Sequence, residues 1–324
     1  MSAPAPAARP TPPRSLSGES LLAAAKGPGQ APNVTATVQA LRDRAEAALT
    51  EHGIPTPRTE AWKYTNVAPL LRRSFTSGPI PAASALQSLV SPHVANASGA
   101  DVVVLANGHY IADLSRHDNR VTPLASALQS GESTGVAAFG QRIDGSQGGF
   151  SALNTAAFSD GLFIRITDAD SAPIHIIHLS IGDDDQLCLP RYLVSVEQGA
   201  SGAIIESFVG AGQGHHLCVP AYEITLADGA RLEHCRVQME RDKDYHIAEV
   251  DAEVSCGGCY TSHQLALGGG LSRSDVNVSL AAEQAHCVLN GLFVVDGRRH
   301  CDLHTRVDHR LSLIHISEPT RPNE

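Results

Sequence analysis

The stretch Tyr222-Glu223-Ile224-Thr225-Leu226, Asp228-Gly229-Ala230, Leu232-Glu233-His234-Cys235 decides the fold. Two β-rich runs flank a turn of small residues, and the arrangement returns on both sides. Upstream stand Tyr192-Leu193-Val194-Ser195-Val196, Gly199-Ala200-Ser201 and Ala203-Ile204-Ile205, preceded by Ile164-Arg165-Ile166, Asp170-Ser171-Ala172 and Ile174-His175-Ile176-Ile177. Downstream, the turn Cys256-Gly257-Gly258 follows the run 249–254, and Glu283-Gln284-Ala285 lies between the run 276–280 and Cys287-Val288-Leu289. With Ala172, Ala200, Ala230, Gly258 and Ala285 as markers, the intervals are 28, 30, 28 and 27 residues. A unit this short cannot bury its own apolar face, so successive copies must stack. The spacing therefore predicts a mainly β protein, most simply a parallel β-helix. A β-sandwich also alternates strands and turns, but it requires no common period over so many units.

Working outward, Val102-Val103-Val104-Leu105 and Tyr110-Ile111 flank Asn107-Gly108, a strong hairpin signal, and strand structure is expected to begin there. Before it, Val38, Leu41, Ala45, Ala48 and Leu49 recur at helical spacing, with Asn33 or Thr35 as cap and Gly53 as stop, predicting an amphipathic helix over 35–52. A second short helical stretch is expected between Pro69 and Phe75, and residues 77–84 read as linker. Prolines at 4, 6, 10, 12 and 13 forbid continuous helix. The expected organisation is a flexible tail over 1–32, a small helical domain over 33–95 and a β-helix core over 96–310.

Composition narrows the function. The 24 Lys and Arg against 34 Asp and Glu give a net charge of −10, which disfavours general binding to nucleic acid or anionic membranes. No run is long enough to span a bilayer, and the early Leu-Leu-Ala-Ala-Ala run at 21–25 is too short for an export signal, so a cytoplasmic address is expected. Seven cysteines, an odd number without small-domain spacing, argue for reduced thiols.

Several short motifs, in order, resemble landmarks of the SufB/SufD family of iron–sulfur cluster assembly scaffolds, its SufD branch in particular. The first is Pro57-Arg58-Thr59-Glu60-Ala61-Trp62-Lys63-Tyr64-Thr65 with Pro69-Leu70; then come Asn107-Gly108, Ala152-Leu153-Asn154-Thr155-Ala156, Asp160-Gly161 and Pro173-Ile174-His175-Ile176. Asn290-Gly291-Leu292, Asp302-Leu303-His304-Thr305 and Val307-Asp308-His309 complete the set. The resemblance implies an N-terminal helical domain, a right-handed parallel β-helix and a C-terminal helical domain. It also implies a non-catalytic scaffold that pairs with SufB-like and SufC-like subunits, with ATP hydrolysis in the SufC partner. These 324 residues contain no G-x-x-x-x-G-K-[ST] loop, consistent with that division of labour. No tightly bound cofactor is expected; iron or an iron–sulfur cluster would be held transiently in the full complex.

The string 311–324, which includes Pro319 and Pro322, departs from the family pattern and resembles translated sequencing adapter. It is expected to be foreign to the natural protein, leaving the β-helix incomplete and its last coil open to aggregation. The family's interface His or Cys would lie beyond this point.

Four residues stand out as candidate metal ligands. Cys256 and Cys259, separated by two residues across a turn, have the spacing of a chelating thiolate pair, although small residues at a solenoid corner also explain them. Cys301 and His304 lie close in sequence, but three residues apart on a strand they face opposite sides unless the chain turns at Asp302. His215-His216 reads as a surface loop. Glu249, Asp251 and Glu253 fall on one strand face, ordinarily a solvated stripe. In a β-helix such a stripe could instead serve a carbohydrate-active lyase or hydrolase, the rival reading, which the absence of an export signal and the 4% aromatic content disfavour. A hexapeptide-repeat acyltransferase would require apolar residues every six positions, which the period near 28 does not provide.

Overall fold

The structure is a computed structural model that describes residues 18–26, 35–94, 99–130 and 134–310. From Gly161 onward the chain shuttles between two parallel sheets. In the first, Gly161–Ile166, Arg191–Val196, Ala221–Leu226, Tyr245–Val254, Leu271–Leu280 and His300–His309 pair side by side in that order. In the second, Ile174–Ile181, Ser201–Ala211, Arg231–Met239, Cys259–Ala266 and His286–Phe293 do the same. Each turn of this β-solenoid takes one strand from each sheet.

Stacking supplies the core. Ile164, Val194, Ile224, Ala252 and Val278 are register partners across the first sheet, and all point inward with almost no exposure. Each fully buried aliphatic side chain contributes about 1.5–3 kcal/mol, so no rung is stable without its neighbours.

The corner that set the repeat is a stack of tight turns. Backbone N–H groups of Ala200, Ala230, Gly258 and Ala285 each donate to the carbonyl three residues back. Successive corners are joined by Gly199 N–H to Asp228, Gly229 N–H to Cys256 and Gly257 N–H to Glu283. Gly199, Gly229 and Gly257 occupy φ of +69°, +67° and +63°, where a Cβ is disfavoured. The markers Ala200, Ala230, Gly258 and Ala285 are therefore in true register. The first marker is two residues off: Ile174 pairs with Ile204 and Ser171 N–H donates to Ser201, so Asp170 rather than Ala172 opposes Ala200. An even slip preserves which face each side chain takes, which is why the repeat remained visible.

The N-terminal part packs against one flank. Residues 1–17, 27–34 and the string from 311 onward lie outside the described residues, but Gly18–Ala25 is a helix with Leu21 and Leu22 buried, which corrects the expectation of a tail for that segment. Ala36–His52 is the expected helix: the Thr35 hydroxyl accepts from Val38 N–H, and Gly53 ends it at φ +67°. It lies against the helix Gly149–Ala157, whose Leu153 and Ala156 share one apolar cluster with Leu49 and Ile247 of the solenoid. At Asn107-Gly108 both residues have positive φ, and Asp101–Ala106 folds back antiparallel onto His109–Tyr110 as the sequence predicts. Asp101–Ala106 also pairs in parallel with Ile174–Ile181 and so begins the second sheet.

Asn154, in the Ala-Leu-Asn-Thr-Ala motif, has a specific task. Pro190 and Pro220 interrupt the first sheet before Arg191 and Ala221, and the Asn154 amide donates to the carbonyls of Pro190 and Val219 at 3.0 and 2.7 Å. Its Oδ1 accepts from Arg191, a fully buried guanidinium that also pairs with Glu223 at 2.6 Å. One amide thus satisfies carbonyls on adjacent rungs and holds the helix to the sheet.

Candidate functional site

Along each rung the interior changes character. Near the tight corner it is aliphatic; farther along the second sheet the inward positions become His178, Glu206, His234, Arg236 and Gln238. Strand periodicity puts these polar groups in the core, since Glu206 shares a face with Ile204 and Phe208, and His234 with Leu232.

Glu206 lies at the centre with no exposure. His178 and His234, from the rungs on either side, each place Nε2 at 2.6 Å from its carboxylate, and the Tyr222 hydroxyl donates at 2.8 Å. The outer ring nitrogens are engaged as well: Tyr192 reaches His178 Nδ1 at 3.1 Å, and Tyr260 reaches His234 Nδ1 at 3.0 Å. Each imidazole thus bridges the carboxylate through Nε2 and a phenol through Nδ1. Burial alone would raise the Glu206 carboxyl, but the bonds and charges from His178 and His234 outweigh it and hold the group well below the usual carboxylate range. The result is a fixed negative charge, bonded on three sides, inside the solenoid.

Beyond it lies a second cluster. Cys188, Cys218, His246, Ser272 and Cys301 are successive register partners, one per rung, on the strands facing Glu206. The first four are buried and Cys301 is half-buried. Burial pushes the Cys188 thiol up to about 12 and raises Cys218 strongly, which favours the thiol over the thiolate at both. Arg236 connects the two clusters, lying 3.9 Å from Glu206 and donating to His246 Nε2 at 3.1 Å. Among the described residues, the one group of three potential ligands close enough for a single ion is Cys218, Glu240 and His246.

The residues singled out from sequence are placed elsewhere. Cys256 is exposed at a tight corner, and Cys259 is half-buried at the start of its strand; neither joins a three-ligand group among the described residues. Cys301 and His304 lie on one regular strand with no turn at Asp302, so they face opposite sides, and His304 pairs instead with Asp302 at 3.1 Å. The loop reading of His216 is corrected: it is fully buried, beside the buried Asp244.

The acidic stripe is not a solvated face. Arg142 spans it, pairing with Asp251 at 2.5 Å and Glu253 at 2.8 Å, so those carboxylates are already neutralised rather than presented to a sugar. Trp62 is pinned, with Phe150 at 5.5 Å and the Arg273 guanidinium 3.9 Å from its ring, whereas Tyr64 is 80% exposed.

A stacked two-sheet solenoid with a polar interior, flanked by N-terminal helices, defines the class. Residues 31–174 match the family model of the SufBD protein N-terminal region, and residues 179–312 match that of the SUF system FeS cluster assembly SufBD core domain. The chain belongs to the SufB/SufD family. It is 26% identical over 277 residues to an iron–sulfur cluster assembly SufBD family protein of Synechocystis, covering 78% of this chain and 59% of that protein. With the iron–sulfur cluster assembly protein SufD of Escherichia coli it shares 23% identity over 278 residues, covering 81% and 60%. The chain thus spans about three fifths of the length of these relatives.

Proposed function

We propose that this chain takes part in SUF-type iron–sulfur cluster assembly as a SufD-like, non-catalytic scaffold that joins SufB-like and SufC-like subunits. The observation that carries this reading is the match to both SufBD regions, in order, along one solenoid and its N-terminal flank. The sequence has no phosphate-binding loop of its own, so ATP hydrolysis is assigned to the SufC-like partner. Iron, sulfide or a nascent cluster is cargo here, and Cys256, Cys259, Cys301 and His304 are side chains available for transient contact with it. No helix among the described residues is long and apolar enough to cross a membrane.

The test is co-expression of the tagged chain with SufB-like and SufC-like subunits from the same source. Co-elution of all three is the expected outcome. Recovery of the folded chain alone, under conditions in which SufB-like and SufC-like subunits stay associated, overturns the reading.

A further inference from the structure

Cys218 and His246 are adjacent register partners on the first sheet, and Glu240 follows the strand Arg231–Met239 of the second. The two sheets thus bring three ligand types together in the solenoid interior, their ligand atoms all within 4.8 Å of one another. Each of the three residues is no more than 3% exposed.

Two buried atoms of these residues lack a hydrogen bond. Gln238 Nε2 donates to Glu240 Oε2 at 2.8 Å, which orients the carboxylate and leaves Oε1 unbonded and buried. Arg236 occupies His246 Nε2, leaving Nδ1 2.9 Å from Glu240 Oε2 without hydrogen-bond geometry. Buried polar atoms are seldom left without hydrogen bonds, and three ligand types this close, two of them with such an atom, are what a cation would bridge.

We propose that Cys218, Glu240 and His246 form a site for a single divalent cation of the zinc and ferrous class. A sulfur, an imidazole nitrogen and a carboxylate oxygen together select such borderline ions over the hard calcium and magnesium. Coordination displaces the Cys218 thiol proton to solvent and moves the His246 proton from Nδ1 to Nε2, where the Arg236 bond is given up; the resulting thiolate and the Glu240 carboxylate offset the ion's charge, and His246 ligates as a neutral imidazole. Gln238 holds the carboxylate from behind, as partners of metal ligands do elsewhere. Three protein ligands leave a fourth position open. His246 also lines a cleft of about 30 Å³ between the last rungs, bordered by Gln264, Leu292, Phe293 and Cys301.

This site is independent of partner subunits, so it is tested on the chain alone, with Co²⁺ as the probe. Titration is expected to give one equivalent of bound Co²⁺ with a sulfur-to-cobalt charge-transfer band, displaced by Zn²⁺ or Fe²⁺ and unaffected by excess Mg²⁺. Cys218→Ser is expected to abolish the band and His246→Gln to weaken binding at least about tenfold, with far-ultraviolet circular dichroism confirming that each variant folds. Cys256→Ala with Cys259→Ala, and separately Cys301→Ala, are expected to leave band and affinity unchanged. Absence of the band in the folded wild type overturns the proposal. So does a band that survives Cys218→Ser, or one lost only when Cys256 and Cys259 are replaced.

Discussion

Glu206 shows how much a single side chain can organise. Its carboxylate takes hydrogen bonds from two histidines on neighbouring rungs and from a tyrosine of the opposite sheet. Glu206→Gln keeps the shape, removes the charge and puts an amide N–H₂ against at least one imidazole Nε2–H. The expected loss is about 2–4 kcal/mol in urea unfolding, and a loss below about 0.5 kcal/mol would show that the network is not a determinant of stability. Nothing in the local sequence advertises Glu206 as special. The signal lies in parity: once Ile204 is taken as inward, Glu206 and Phe208 follow it, and a carboxylate in that position requires partners. The ligand pairs suggested by spacing, Cys256 with Cys259 and Cys301 with His304, are legible as motifs. The Cys218, Glu240 and His246 group was not, because its members come from three strands or strand ends that only the register brings together.

For the strand as an element, the decisive question is what lies beside it. Every inner strand of the solenoid has a neighbour on both sides, whereas His286–Phe293 pairs on one side only, with Cys259–Ala266, among the described residues. Its Val288, Leu292 and Phe293 are 45%, 55% and 58% exposed, and Val294 just after it is 55% exposed. An apolar strand with unpaired backbone is a template for another chain. The isolated chain is expected to self-associate with rising concentration in light scattering, and Leu292→Lys with Phe293→Lys to shift it toward monomer. Equal scattering by both proteins would rule this strand out as the adhesive element. The repeat itself was legible because strand, tight turn and small residue recur together. Its first interval is off by two because the corner there carries its positive φ at Asp170, one register position later than at Gly199, Gly229, Gly257 and Gln284. The burial of His216 was hidden for the opposite reason: the glycines around it looked like loop, yet Gly212 and Gly214 approach the backbone at 182–184 too closely to admit a Cβ.

In the molecule as a whole, the N-terminal flank and the solenoid meet at a cavity of about 330 Å³, lined by Trp62, Phe150, Glu249, Arg273 and Asp275. Burial, followed by repulsion from Asp275, pushes Glu249 up to about 7, with Arg191 offsetting part of the rise. An unfolded Glu titrates near about 4.3, so between that pH and about 7 the folded form holds the extra proton. The contribution to stability is complete below the lower value and is lost as pH rises through about 7. Glu249→Gln is expected to gain on the order of 1–3 kcal/mol over wild type at about pH 8 and much less at about pH 4.5. Trp62 is the chain's single tryptophan, so its fluorescence in urea titrations reads this junction directly; an equal gain at both pH values would refute the assignment. The corner stack has a further consequence. Successive rungs are hydrogen-bonded turn to turn along one edge, whereas the opposite edge carries connections of unequal length, 240–244, 267–270 and 294–299. A peptide tag or reporter spliced into the exposed connection 294–299 of that second edge should leave the fold intact, while one residue inserted into the first would throw every later rung out of step. The solenoid thus has one edge that acts as a spine and another that can accept cargo.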